Sequence, residues 1–70
     1  MAIRIGIYGY GNLGRGVECA VYHSADMELV AVFTRRDPAS VKTVFPSTPV
    51  VSATAVADYA DRIDVMILCG

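Results

Sequence analysis

Apolar and polar positions alternate at the start of the chain, where Ile3, Ile5 and Ile7 interleave with Arg4 and Gly6. β-Branched residues at period two fit a pleated strand, and the pattern predicts one over residues 2–8. From Asn12 the period lengthens. At about 100° per residue Leu13, Val17, Ala20 and Val21 share one face, and Arg15, Glu18 and Tyr22 share the other. That predicts an amphipathic helix of about three turns. Asn12 is its expected N-cap, and the weak helix formers between His23 and Asp26 end it. "MELVAVF", residues 27–33, and "VMILC", residues 65–69, are nearly all apolar, as parallel strands covered on both faces are.

Between those strands the pattern is sparser. Asp37-Pro38 reads as a cap followed by proline at the first position of a short helix. Pro46 and Pro49 bracket a loop, and Val50-Val51 forms the core of a brief third strand. Residues 53–61, "ATAVADYAD", predict one or two helical turns with Val56 and Tyr59 inward. Strands that alternate with helices in this way pair in parallel through right-handed crossovers. The expected α/β architecture is the first half of a Rossmann-type doubly wound parallel sheet, β-α-β-α-β-α-β, in strand order 3-2-1-4.

That framework gives meaning to "GYGNLG", residues 9–14. A bare G-x-G-x-x-G match is weak, because glycine is common; between a strand and a helix it becomes a phosphate cradle. Gly9 allows the tight turn after the strand. Gly11 lets a pyrophosphate approach the backbone, and Gly14 lets the helix pack closely on the strand. Backbone N–H groups from about Asn12 to Gly14 point out of the helix start, where the dipole favours an anion. Tyr10 stands where it would either contact the cofactor's ribose or shield it, and the sequence does not choose.

An NAD site wants an acidic residue at the end of the second strand, about 20 residues past the fingerprint. Here the stretch reads "FTRRD": Phe33, Thr34, Arg35 and Arg36 offer a hydroxyl and two guanidinium groups but no carboxylate. Forked arginine donors suit a 2′-phosphate dianion, which favours NADP. The competing readings are that both arginines are solvated loop charges, or that Asp37 serves as a displaced ribose acid. Asp37, directly before Pro38, is better explained as a helix cap.

Composition narrows the class. The chain has 70 residues, of which 54% are hydrophobic, too many for a disordered segment. A chain so short buries only about 60% of its unfolded surface, so the dense apolar strands suggest a part of a larger protein. Six basic and seven acidic residues leave a net charge of −1, with no field for nucleic acid or an anionic membrane. No apolar run approaches the roughly 20 residues of a membrane span. The first residues lack the apolar core of a secretory signal. Cys19 and Cys69 are too far apart for a metal pair or a disulfide framework, which fits thiols in a reducing cytoplasm. The expectation is a cytoplasmic protein without metal.

The remaining candidates for chemistry are few. Cys69 and Gly70 end the fourth strand beside the first, where their backbone would line a cofactor cleft. Nothing near Cys69 in sequence would activate it as a nucleophile. Cys19 looks incidental, and His23 reads as a surface residue at the helix tail. Asp58, Asp61 and Asp64 read as solvated acids. No acid/base dyad, metal cluster or nucleophile triad stands out.

Taken together, "IGIYGYGNLGRGVE", "MELVAVFTRRDP" and "DVMILCG" resemble the amino-terminal portion of the meso-diaminopimelate dehydrogenase family. The likeness covers the chain except residues 38–53. Either "GYGNLG" or "FTRRD" alone would also fit dihydrodipicolinate reductases, homoserine dehydrogenases or sugar oxidoreductases. The resemblance implies NADP-dependent oxidative deamination of meso-diaminopimelate to L-2-amino-6-oxopimelate and ammonia, in the lysine pathway, by a homodimer. It implies that Tyr10, Gly11, Asn12 and Leu13 hold the pyrophosphate. It also implies that Thr34, Arg35 and Arg36 hold the 2′-phosphate, and that Cys69 and Gly70 begin the next cofactor-contacting loop. Substrate-binding and dimerising parts come later in that family, so residues 1–70 are expected to supply cofactor recognition and no catalytic residue. A non-catalytic NADP-sensing module is the alternative from another class.

Overall fold

In the computed structural model, which describes residues 2–69, four strands and three helical segments alternate along the chain. They are β1 (Ile3–Tyr8), α1 (Asn12–Tyr22), β2 (Met27–Thr34), a 3-10 helix (Pro38–Ser40), β3 (Val50–Ser52), a longer 3-10 helix (Ala53–Arg62) and β4 (Val65–Leu68). All strand pairings are parallel and the order is β3-β2-β1-β4, as the strand–helix alternation predicted. β1 lies between β2 and β4, with Ile7 level with Val32 on one side and Ile67 on the other. Ile5, Ile7, Ala31, Val32 and Phe33 make the buried centre of the sheet, joined by Val21 of α1. The longer 3-10 helix covers the opposite face, where Tyr59 meets Phe33 edge-on at 5.3 Å between ring centres.

Several local expectations shift. Gly11, in extended conformation, takes the N-cap position and Asn12 is the first residue of α1; no side chain caps the helix. The buried face of α1 carries Gly14, Glu18 and Val21, whereas Leu13 is 64% exposed. The helix is thus rotated from the face that hydrophobicity picked out, because Gly14 is the residue that touches β1. Residues 53–62 wind as a 3-10 helix. Its rise spans about 20 Å in ten residues where an α-helix spans about 15 Å. β4 is not covered on both faces: Val65 is 46% and Leu68 75% exposed, since β4 is an edge of the described sheet. β2 is buried only from Ala31 onward, where α1 and Tyr59 flank it.

Two devices fix the ends. Asp37 Oδ1 accepts from Ala39 N at 3.1 Å with Pro38 at the first helical position, the cap read from the sequence. Asp64 is exposed, as read, but it is paired. Its Oδ2 accepts from Arg4 Nε at 3.2 Å and Arg4 N at 2.9 Å, and its Oδ1 accepts from Arg4 Nη2 at 3.0 Å. Arg4 Nη1 also donates to the Asp61 carbonyl at 3.1 Å, so one guanidinium ties β1 to the entry of β4.

Candidate cofactor-binding site

The site begins where β1 runs out. Gly9 N donates to the Phe33 carbonyl at 2.9 Å, the last rung of the β1–β2 ladder. Gly9 then turns the chain with φ 88°, a left-handed conformation that glycine adopts without strain. A Cβ on Gly14 would stand 3.1 Å from the Gly9 carbonyl oxygen and 3.3 Å from Tyr10 Cδ1. α1 can sit this close to the turn only because residue 14 has no side chain. A Cβ on Gly11 would meet nothing within 4 Å, so the space beside that backbone is open. The first intrahelical bond runs from Arg15 N to the Gly11 carbonyl at 2.9 Å. The N–H groups of Asn12, Leu13 and Gly14 precede it, at the positive end of the helix.

A cleft of about 420 Å³ opens at the carboxyl ends of β1 and β2, lined by Gly9, Tyr10, Thr34, Arg35 and Arg36. The topology therefore brings the two halves of the sequence motif together. Thr34, the last residue of β2, is buried, and its Oγ1 accepts from Arg36 N at 3.1 Å. Arg36 Nη2 donates to the Tyr10 carbonyl at 3.0 Å, so this side chain bridges the mouth from β2 to the glycine turn. Its remaining guanidinium donors and those of Arg35 are available to an anion. No carboxylate lines the cleft, and Asp37 is engaged in its own helix cap. Gly11, Asn12, Leu13 and Gly14 stand beside the lining at the start of α1 rather than within it.

Cys69 is half-buried and its N–H donates to the Tyr8 carbonyl at 2.8 Å, continuing β4 along β1; it is not among the lining residues. Burial pushes its thiol up, away from the reactive thiolate. Gly70, paired with it in the sequence reading, lies outside the described residues. Cys19 is a separate free thiol, and exposed His23 bonds through Nδ1 to the Cys19 carbonyl at 2.7 Å. Among the described residues no group of three or more metal-ligating side chains comes together, and no helix is long and apolar enough to cross a membrane.

The residue that sequence reasoning misplaced is Glu18, assigned above to the polar face of α1 yet fully buried. Its Oε1 accepts from Tyr10 OH and from Val44 N at 3.1 Å. Its Oε2 accepts from Phe45 N at 3.0 Å and from Thr48 Oγ1. Burial alone would raise this carboxyl; bonds from Thr48, Tyr10, Phe45 N and Val44 N outweigh it and hold the group below its ordinary value of 4.5. Burial, then the bond to Glu18, pushes the Tyr10 phenol up to about 12. Tyr22 extends the clamp, with its ring 4.2 Å from that of Phe45 and its hydroxyl 3.2 Å from Thr48 Oγ1. A signal was present in the sequence. Once Gly14 is set against the strand, Glu18 and Val21 follow at i+4 and i+7 on the same helix face.

No protein-family model matches the chain. Meso-diaminopimelate D-dehydrogenase of Ureibacillus thermosphaericus is 62% identical over 68 residues, which is 97% of this chain and 21% of the relative. The Lysinibacillus sphaericus protein of the same name is 59% identical over 69 residues, 99% of this chain and 21% of the relative. The chain matches the amino-terminal part of the diaminopimelate dehydrogenases. Solved structures agree. Diaminopimelate dehydrogenase of C. glutamicum, in complex with DAP, superposes with a TM-score of 0.80 at 44% identity, covering 97% of this chain and 20% of that one. An engineered D-amino acid dehydrogenase bound to NADP+ superposes with a TM-score of 0.83 at 43% identity, covering 100% of this chain and 20% of that one. The chain spans about a fifth of the length of the diaminopimelate dehydrogenases it matches, and its fold is their Rossmann-type amino-terminal part.

Proposed function

We propose that this chain is the NADP-binding part of a meso-diaminopimelate D-dehydrogenase. The observation that carries the reading is the cleft at the end of β2, walled by Thr34, Arg35 and Arg36 and lacking a carboxylate. A 2′-phosphate fits that wall: Arg36 is held across the mouth by the Tyr10 carbonyl, and Arg35 stands beside it with its donors exposed. Gly11 and the N–H groups opening α1 fit the pyrophosphate, because no side chain occupies the space beside Gly11. The relatives' names supply the substrate, and the engineered neighbour holds NADP+.

A bound NADP+ would supply the hydride acceptor for the substrate carbon that bears the amine. The overall change converts meso-2,6-diaminopimelate, water and NADP+ into L-2-amino-6-oxopimelate, ammonium, NADPH and a proton. Within residues 1–70 the work is binding and orientation: the glycine turn seats the phosphates and the β2 end selects the cofactor. On this reading, the groups that bind diaminopimelate and move its protons are supplied outside these 70 residues. The homodimer, which the family resemblance implies, and the cytoplasmic location, which the two free thiols fit, belong to the same proposal.

The test is turnover by the intact protein. With meso-diaminopimelate and NADP+, NADPH and ammonium should form in equal amounts, and NAD+ should replace NADP+ poorly. NADP binding without turnover of any amino acid would favour a sensing module instead.

A further inference from the structure

Resting on the NADP reading above, we propose that Glu18 is a positioning residue for the cofactor cleft, holding Tyr10 so that the Tyr10 carbonyl fixes the Arg36 guanidinium at the mouth. Tyr10 sits between two glycines, Gly9 and Gly11, and glycine-flanked backbone is the costliest to order. Between residues 9 and 11 only Tyr10 has a side chain, and its phenol donates to Glu18 and accepts from Val44 N at 3.1 Å. The bond to Glu18 ends on Oε1, and the same oxygen accepts from Val44 N at 3.1 Å. The other oxygen takes Phe45 N at 3.0 Å and the Thr48 hydroxyl. Glu18 thus locks segment 44–48 and the turn together. On the cleft side, the carbonyl of the tethered residue accepts from Arg36 Nη2 at 3.0 Å. Arg36 N, in turn, is held by Thr34 Oγ1 at 3.1 Å. A buried carboxylate under α1 therefore reaches the arginine through one residue.

The carboxylate accepts from all four donors, and Val44 N is shared between Glu18 Oε1 and Tyr10 OH, at 3.1 Å from each. A glutamine keeps one acceptor oxygen, enough for Phe45 N and Thr48 Oγ1, and its NH₂ then faces Tyr10 OH, so the charged acceptor of the Tyr10 link is lost. Glu18→Gln keeps the shape and loosens that link, and Tyr10→Phe removes it from the other end.

The experiment measures dissociation constants for NADP+ and NAD+ in the intact protein, for wild type, both single variants and the double variant, together with melting temperatures. NADP+ should bind roughly tenfold more weakly to Tyr10→Phe, and severalfold more weakly to Glu18→Gln. NAD+ should change less than about threefold, and the double variant should match Tyr10→Phe, because both changes act on one link. A lower melting temperature with unchanged NADP+ affinity makes Glu18 a packing residue and overturns the proposal. Equal losses for both cofactors overturn the route through Arg36. If Glu18→Gln does not fold, Tyr10→Phe decides by the same criteria. A wild type with no preference for NADP+ sinks the cofactor reading itself, an outcome distinct from the others.

Discussion

The two flanks of β1 differ sharply. Toward β2, Ala31, Val32 and Phe33 have no exposed surface, α1 covers one face and Tyr59 the other, and the cleft opens at the strand ends. Toward β4, Val65 is 46% and Leu68 75% exposed. The finished flank holds the buried core and the cleft proposed for the cofactor. The open flank carries apolar surface.

Phe33→Ala tests the finished flank most severely. Removing a fully buried ring costs about 3–5 kcal/mol, against a total of about 0.05–0.15 kcal/mol per residue in an ordinary domain. A 70-residue polypeptide of this sequence should lose most of its folded population, read by circular dichroism in a urea titration. Leu68→Ala should move the same transition by less than about 0.5 kcal/mol while reducing self-association. Comparable losses from the two would erase the distinction between the flanks.

Glycines 14 and 11 sharpen it within the site. Gly14→Ala puts a methyl group 3.1 Å from the Gly9 carbonyl oxygen, and such overpacking costs about 1–3 kcal/mol. Gly11→Val finds open space and an extended backbone, so melting should barely change while NADP+ affinity falls tenfold or more. Unchanged affinity in Gly11→Val would reduce Gly11 to a turn residue and remove the pyrophosphate from the account.

Much of the finished flank can be read directly from residue order. The period change at Asn12, the glycines at 9, 11 and 14 and the apolar run of β2 suffice to predict β1, α1, β2 and the strand order. Hydrophobic periodicity fails at Glu18, because its burial depends on donors at Val44, Phe45 and Thr48. Those lie about thirty residues away in a stretch with no period of its own. The pairing of exposed Asp64 went unseen for the same reason, its partner Arg4 standing at the other end of the chain. β4 was read as covered because composition reports what a strand can bury, and an edge position decides what it does bury.

Acid titration probes the long-range links. Glu18 and Asp64 both titrate below their ordinary values, Glu18 through its four donors and Asp64 through Arg4. Each folded-state pKa is depressed, so each contribution is present above the ordinary value and lost as pH falls through the folded one. Stability should be flat at neutral pH and decline below about pH 4.5, more gently in Glu18→Gln. At the alkaline end Tyr10, raised from 10.0 to about 12, favours the folded state below pH 10 and loses that contribution as pH climbs toward 12. Arg4→Gln should have the smallest effect, since the pair is exposed and screened by salt. Its acid limb should lose the part due to Asp64, and an unchanged limb would remove that pair from the account.

Cofactor selectivity tests the central claim most directly. Calorimetric titration of NADP+ and NAD+ into the intact wild type, Arg35→Ala and Arg36→Ala, at low and high salt, isolates the contacts to the 2′-phosphate. A charge-assisted bond at this exposed position contributes near the lower end of about 1.5–3 kcal/mol. Each variant should therefore lose roughly tenfold in NADP+ affinity and little in NAD+ affinity, and high salt should narrow the wild-type gap. Equal losses for the two cofactors, or a wild type that prefers NAD+, would contradict the account.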